Sequence, residues 1–244
     1  MYPILFHLGR LNFYTHGLTI ALGALLAGGT IFYLAGKKKL PRKFLFDLLV
    51  YSLFGGIVGA RLVYVLIYYY QFPNWYEMFY IWYGGLVSFG GIFFGFLTAY
   101  FILKRYRQNV FQWFDLGIIG LFLGWAVGRV GCFLTGDIPG VSSSSWLAIW
   151  GQIPVSLLES FWSLILAAIL LYLTLWRKEL LDKWQPGVLF FGGLAGYSLG
   201  RLVIDFWRDE RVFYFLRGGQ IASLIILIVS VAIIIYFFRK IKKE

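Results

Sequence analysis

Cysteine, histidine and charge are all scarce in this chain of 244 residues. Its one cysteine, Cys132, excludes an internal disulfide and a metal site built from several thiolates. Its two histidines, His7 and His16, are too few for a histidine-rich metal centre. Charged side chains make up 14% of the residues, whereas soluble domains usually contain about 25%. This shortage of charge excludes an ordinary soluble globular protein.

Apolar residues are abundant instead, since 60% of the chain is hydrophobic and 21% is aromatic. A helix needs about 20 apolar residues to cross a bilayer. Seven stretches reach this length: 14–36, 44–70, 84–103, 111–136, 156–176, 187–206 and 220–238. We therefore predict an all-α, polytopic membrane protein in which residues 1–244 form a single transmembrane domain with seven transmembrane helices.

Positive charge is concentrated at alternate ends of these stretches. Of the 22 lysines and arginines, 15 lie in the segments 37–43, 104–108, 177–183 and 239–244. Basic links face the cytoplasm in membrane proteins, which predicts that the N-terminus is outside and the C-terminus is cytoplasmic. The net charge of +11 is thereby explained without a nucleic-acid partner.

Three arginines, Arg61, Arg129 and Arg201, lie inside the predicted helices. A helix rises about 1.5 Å per residue, which places all three in the outer half of the bilayer. The same arithmetic puts other notable residues at or near this level: His16, Phe89, Asp137, Glu159 and Asp205. Charge at membrane depth marks a functional path or site. We therefore predict a polar chamber that opens to the outer leaflet.

The balance of charge in this chamber favours an anionic ligand. Arg201 and Asp205 are four residues apart and share a helix face, and an internal ion pair that only hides two charges is an alternative interpretation. Two further arginines leave an excess of positive charge, and guanidinium groups bind phosphate with two parallel hydrogen bonds. The residues alone thus indicate a site for an anionic phospholipid.

Five segments resemble, in the same order, motifs of the bacterial phosphatidylglycerol–prolipoprotein diacylglyceryl transferase family. GRVGCFLTGDIPG (128–140) is similar to the G-R-x-G-N-F-x-N-x-E-x-x-G signature of that family. The others are GARLVYVL (59–66), YGGLVSFGGIFFG (83–95), IPVSLLES (153–160) and GRLVIDFWR (200–208). The resemblance implies a multi-pass enzyme of the bacterial inner (plasma) membrane. Such enzymes transfer the diacylglyceryl group of phosphatidylglycerol to a cysteine thiol in a prolipoprotein signal peptide, without a metal or cofactor.

The matching positions imply roles for individual residues. Arg129 would bind the lipid phosphate, and Arg201 would stabilise the departing phosphate group. Asp205 would orient Arg201, and Asp137 stands where the family has a glutamate. The remaining positions implied in lipid binding are Arg61, Gly140 and Glu159.

The chain departs from the family pattern at the base expected to activate the thiol. Phe89 replaces the family's histidine, and the signature asparagines become Cys132 and Thr135. His16 stands where the family has a tyrosine early in the first helix. We therefore hypothesise that His16 activates the thiol, with a histidine at the interfacial end of a helix as the alternative. Cys132 has two alternative interpretations: its thiol is a nucleophile, or its side chain only contributes to packing.

Two other functions are compatible with these departures. One is transfer of a phospholipid-derived group to a different acceptor. The other is binding of an anionic lipid without catalysis, for which Phe89 is the discriminating feature. The three membrane-depth arginines favour a working phosphate site.

Overall fold

The computed structural model describes residues 2–8, 11–81, 84–177, 179, 184–209, 212–213 and 216–241. These residues contain seven long helices: α1 Thr15–Lys37, α2 Leu45–Tyr68, α3 Ser88–Arg105, α4 Val110–Thr135, α5 Val155–Trp176, α6 Val188–Ile204 and α7 Gly218–Ile241. Each helix coincides with one predicted apolar stretch to within a few residues. The all-α prediction is confirmed.

Six of these seven helices are long and apolar enough to cross a membrane, as judged from length and composition within the described residues. The remaining helix, α3, has 18 residues and ends in Lys104 and Arg105. A multi-pass membrane protein is thus confirmed, whereas the seventh span and the orientation stay predictions. Several basic residues behind the orientation lie outside the described residues, among them Arg10, Arg211 and parts of 177–183 and 239–244.

Two short antiparallel hairpins precede helices and were not predicted. In the first, β1 (Ile4–Leu8) pairs with β2 (Leu11–Tyr14) just before α1. In the second, β3 (Val212–Phe213) pairs with β4 (Leu216–Arg217) just before α7. Thr15, the first residue of α1, ties the first hairpin to this helix, because its backbone N–H donates to the Pro3 carbonyl at 3.0 Å. The first hairpin therefore fixes the start of α1, and the second leads directly into α7.

The chain forms two compact units, one made of Met1–Leu34 and Phe114–Glu244 and the other of Ala35–Trp113. In the first unit, α1 and α4 approach closely where Gly23 meets Gly124, since a Cβ atom on either glycine would lie 2.6 Å from the other's carbonyl oxygen. In the second unit, α2 and α3 form the main helix pair. A single domain over residues 1–244 remains a prediction.

Candidate active site

A buried carboxylate on α5 collects three guanidinium groups in the first unit. The Glu159 side chain has 0% exposure, and its Oε2 lies 2.7 Å from Arg129 Nε of α4. Its Oε1 accepts hydrogen bonds from Arg201 Nη1 of α6 at 2.8 Å and from Arg208 Nη2 at 2.6 Å. Both carboxylate oxygens of Glu159 are thus engaged, and the predicted residues Arg129, Arg201 and Glu159 are in direct contact.

A second buried carboxylate, Asp205, closes the cluster immediately after α6. Its Oδ2 lies 3.1 Å from Arg201 Nη2, and its Oδ1 lies 3.6 Å from Arg208 Nε. Its backbone carbonyl accepts a hydrogen bond from Arg217 Nη1 at 2.7 Å. Arg201 and Arg208 therefore each bridge Glu159 and Asp205, which fixes the orientation of both guanidinium planes.

Positive charge exceeds negative charge in this arginine cluster, which we define as Arg129, Arg201, Arg208, Arg217, Glu159 and Asp205. Its four guanidinium groups outnumber its two carboxylates by two charges. The side chains of Arg129, Arg201 and Arg208 are only 12%, 7% and 9% exposed. Desolvated charge without a counter-charge is costly, so the cluster favours binding of an anion.

Aromatic and sulfur-containing side chains surround the Arg129 guanidinium. Its central carbon lies 4.5 Å from the centroid of the Trp125 ring, one helical turn earlier on α4. Cys132 and Tyr197 also lie beside the guanidinium. A cation held over an aromatic face is attracted by the ring quadrupole. Trp125 thus restrains Arg129 from one side and Glu159 from another.

His16 and Asp137, the other predicted catalytic residues, contact each other. His16 Nδ1 lies 3.4 Å from Asp137 Oδ2, and the two side chains are 44% and 55% exposed. The Thr135 hydroxyl donates a hydrogen bond to the same Asp137 oxygen at 2.7 Å. The pair lies where the first turn of α1 meets the end of α4, and both partners remain accessible.

Gly140 positions the backbone of the 137–155 loop against Arg208. The two residues form an isolated antiparallel bridge, which the hydrogen bond from Val141 N to Trp207 O at 2.8 Å extends. A Cβ atom on Gly140 would overlap the carbonyl oxygen of Ile153. Only glycine therefore allows this approach. A direct contact of Gly140 with substrate stays a prediction.

Arg61 belongs to the second unit, where backbone carbonyls surround its guanidinium group. It donates hydrogen bonds to the carbonyls of Glu77, Met78, Gly84 and Gly85 at 2.9, 2.7, 2.7 and 3.2 Å. These bonds hold the segment that connects α2 to α3. The lipid-binding role of Arg61 rests on the family motif alone and stays a prediction.

Sequence reasoning missed Arg208 and Arg217 as members of the cluster. Arg208 lies two residues beyond the predicted helix 187–206, yet its side chain is almost completely buried. It is the last residue of GRLVIDFWR, three residues after Asp205 and seven after Arg201, a spacing that places all three on one helical face. The sequence around Arg217 contains no comparable spacing signal. Its contact with Asp205 depends on the β3–β4 hairpin, which brings the two residues together.

The fold and the cluster together define a multi-pass helical membrane protein with a buried, positively charged site suited to an anionic group. The family model for prolipoprotein diacylglyceryl transferases matches residues 3–236. The chain therefore belongs to this transferase family, and the resemblance read from the motifs is confirmed.

Curated relatives cover almost the whole chain. The phosphatidylglycerol–prolipoprotein diacylglyceryl transferase of Lysinibacillus sphaericus (strain C3-41) is 32% identical over 268 residues, which cover 98% of this chain and 93% of that protein. The enzyme of the same name from Staphylococcus aureus (strain Newman) is 30% identical over 261 residues, 98% of this chain and 90% of that protein. That from Clostridium botulinum (strain Langeland) is 28% identical over 259 residues, 100% of this chain and 99% of that protein.

Proposed function

We propose that this protein transfers the diacylglyceryl group of phosphatidylglycerol to the cysteine thiol of a prolipoprotein signal peptide in the bacterial plasma (inner) membrane. Membership of the family supports the reaction, and the excess positive charge of the arginine cluster is the observation that carries it. We also propose that α3 is the seventh span, with the N-terminus outside and the C-terminus cytoplasmic. The basic segments 37–43 and 104–108 support this orientation.

The proposed step exchanges one bond to carbon for another. The thiolate sulfur attacks the diacylglyceryl carbon that carries the phosphate, so a C–S bond forms while the C–O bond breaks. The electron pair of the C–O bond stays on the phosphate oxygen. A phosphodiester with one negative charge thereby becomes glycerol phosphate, a monoester with up to two. Negative charge grows on the leaving group, and preorganised cations stabilise such growth more than the ground state.

The geometry of the cluster suggests how the work is divided within it. We assign binding of the lipid phosphate to Arg129, which Trp125 and Glu159 restrain. We assign stabilisation of the departing group to Arg201, whose two terminal nitrogens contact Glu159 and Asp205. Because both carboxylates are buried, the arginines are already oriented before the charge develops, and little reorganisation is required during the reaction.

Transfer to a peptide in a reconstituted system tests this proposal. Purified protein in vesicles receives phosphatidylglycerol labelled in its acyl chains and a peptide with a lipobox cysteine. We expect the peptide to gain the mass of one diacylglyceryl group and one glycerol phosphate to be released per modified peptide. A peptide with serine in place of the cysteine should remain unmodified.

Arginine variants connect the activity to the cluster. Arg129→Ala should abolish transfer, whereas Arg177→Ala, which changes an exposed arginine after α5, should retain it. If the wild-type protein retains the lipid but does not modify the peptide, the proposal is wrong. That result would support non-catalytic lipid binding, the alternative function that Phe89 suggests. Consumption of lipid without peptide modification would indicate a different acceptor.

A further inference from the structure

The proposed transfer needs a group that removes the proton of the acceptor thiol. A free cysteine thiol has a pKa of about 8.5 and reacts as the thiolate. The chain has Phe89 at the family's histidine position and contains only two histidines, His7 and His16. His7 lies in the first hairpin, where its Nδ1 is 2.8 Å from Asn12 Oδ1. His16 is the histidine that contacts a carboxylate, Asp137.

The contact with Asp137 distinguishes the two ring nitrogens of His16. Nδ1 is the buried ring nitrogen and lies 3.4 Å from Asp137 Oδ2, which is its ionic contact, and it makes no hydrogen bond to any residue that the structure describes. The His16 side chain is nevertheless 44% exposed, so its accessible edge is the opposite one, which carries Nε2. With the proton of a neutral imidazole on Nδ1 facing the carboxylate, the lone pair of Nε2 is free to accept another. A carboxylate beside Nδ1 favours the tautomer with its proton on Nδ1 and stabilises the imidazolium that forms.

Asp137 is itself held in place by its surroundings. The Thr135 hydroxyl donates to the same Oδ2 atom at 2.7 Å. The backbone N–H of Asp137 donates to the Cys132 carbonyl at 3.3 Å, which continues the last turn of α4. The carboxylate is therefore anchored to the helix that carries Arg129.

The packing of α1 against α4 brings this pair close to the arginine cluster. The helices are antiparallel, because Gly23 meets Gly124 while Thr19 meets Gly131. His16 precedes Thr19 by three residues, and Arg129 precedes Gly131 by two. At a rise of about 1.5 Å per residue, the Thr19–Gly131 contact implies that their backbones differ in level by roughly 7.5 Å along the helix axes, and the Gly23–Gly124 contact implies roughly 3 Å. Cys132, on the turn of α4 between them, interacts with both Arg129 and Asp137, so the His16–Asp137 pair and the arginine cluster are neighbours on this helix pair.

We propose that His16, oriented by Asp137, is the general base that activates the acceptor thiol in this protein. The thiol transfers its proton to His16 Nε2, and the sulfur keeps the electron pair with which it attacks the diacylglyceryl carbon. The imidazolium, paired with Asp137, then releases the proton to water. His16 is a catalytic residue in this scheme and Asp137 a positioning residue. The inference rests on the proposed function, since it concerns the proton of the same thiol.

Chemical rescue tests the role of His16 in the full-length protein. In the peptide-transfer assay, His16→Ala should lower kcat by about 10²–10⁴-fold, the usual contribution of a general base. Added imidazole should restore a substantial part of the activity of His16→Ala and none of the activity of Arg129→Ala. His7→Ala, the matched histidine control, should transfer at the wild-type rate. Retention of labelled phosphatidylglycerol by His16→Ala should equal that of the wild type.

Two substitutions of Asp137 separate positioning from packing. Asp137→Glu keeps the carboxylate and should retain most of the activity, whereas Asp137→Asn keeps the size and should lose at least about tenfold in kcat with KM unchanged. An Asp137→Asn variant with wild-type kcat would refute the positioning role.

The outcomes also distinguish this inference from the proposed function. If the wild type transfers lipid and His16→Ala does so within twofold, or if its loss is not restored by imidazole, the inference is wrong while the proposed function stands. Absence of transfer by the wild-type protein would overturn both.

Discussion

Replacing Glu159 by glutamine removes the carboxylate that three guanidinium groups share. The substitution preserves the size of a side chain with 0% exposure, and so its effect reports on charge. Arg129, Arg201 and Arg208 contact Glu159 at 2.7, 2.8 and 2.6 Å. Without the carboxylate, the excess of the cluster rises from two positive charges to three. The three contacting guanidinium groups are at most 12% exposed, so water and salt screen their mutual repulsion only weakly.

The expected loss of stability follows from this burial. Removing one partner of a buried ion pair typically costs about 3–5 kcal/mol. For chains of this size, each kcal/mol shifts the thermal midpoint by about 2–4 °C. The midpoint of Glu159→Gln should therefore fall by roughly 6–20 °C. An anion that enters the cluster replaces part of the lost negative charge, so glycerol phosphate should stabilise the variant more than it stabilises the wild type.

Thermal unfolding in detergent micelles, followed by tryptophan fluorescence with and without glycerol phosphate, measures both effects. Glu179→Gln provides the control, because it makes the same chemical change at an exposed position and should leave the midpoint unchanged. A thermal midpoint of Glu159→Gln within about 2 °C of the wild-type midpoint would refute the electrostatic reasoning, because so small a shift corresponds to no more than about 1 kcal/mol. Equal stabilisation of Glu159→Gln and of the wild type by glycerol phosphate would also refute it.

Three further predictions address the same site. Arg201→Lys should lower kcat/KM by about 10²–10³-fold in the peptide-transfer assay, since a single ammonium cannot bridge the two carboxylates, whereas Arg177→Lys should have no effect. Gly140→Ala should destabilise the fold by about 1–3 kcal/mol in thermal unfolding because of overpacking, while Gly17→Ala, whose added methyl group meets open space, should not. Phosphatidylglycerol should slow maleimide labelling of Cys132, which lies beside the cluster, and diacylglycerol should not. Equal protection by both lipids would argue against a phosphate at that position.

The helices could be predicted from the sequence because their length and composition are set by the thickness of the bilayer. The stretch 156–176, for example, differs from α5, Val155–Trp176, by one residue at one end. The stretch 84–103 begins earlier than α3, since Gly84 and Gly85 adopt positive φ angles that a helix does not allow. The hairpins before α1 and α7 were missed because strands of two to five residues carry little periodicity.

The arrangement of the site could be predicted only in part. Helix rise gives the depth of a residue but not the direction of its side chain. Arg61 and Arg129 were predicted at one depth, yet Arg61 donates to backbone carbonyls of the α2–α3 connection while Arg129 contacts Glu159. His16 and Asp137 were each named, but their contact depends on how α1 packs on α4, which no local pattern encodes.

The buried position of Arg208 shows a further limit of charge counting. In a membrane protein, an arginine beyond the end of a helix is usually taken to contact water or headgroups. Here Gly140 of the 137–155 loop forms a backbone bridge with Arg208, and the Arg208 side chain is buried against Glu159 and Asp205. Arg208 is therefore a buried member of the cluster although it lies in a connecting segment. Its composition, with SSSS at 142–145, gives no sign of this packing.

The central claim is tested most directly by comparing how much phosphatidylglycerol and how much diacylglycerol the purified protein retains. The two lipids differ by the phosphate-containing headgroup, and the arginine cluster is proposed to hold that phosphate. Purified wild-type protein should retain phosphatidylglycerol in clear preference to diacylglycerol of the same acyl chains, and the double variant Arg129→Ala/Arg201→Ala should lose that preference. Equal retention of both lipids by the wild type, or an undiminished preference in the double variant, would contradict the account.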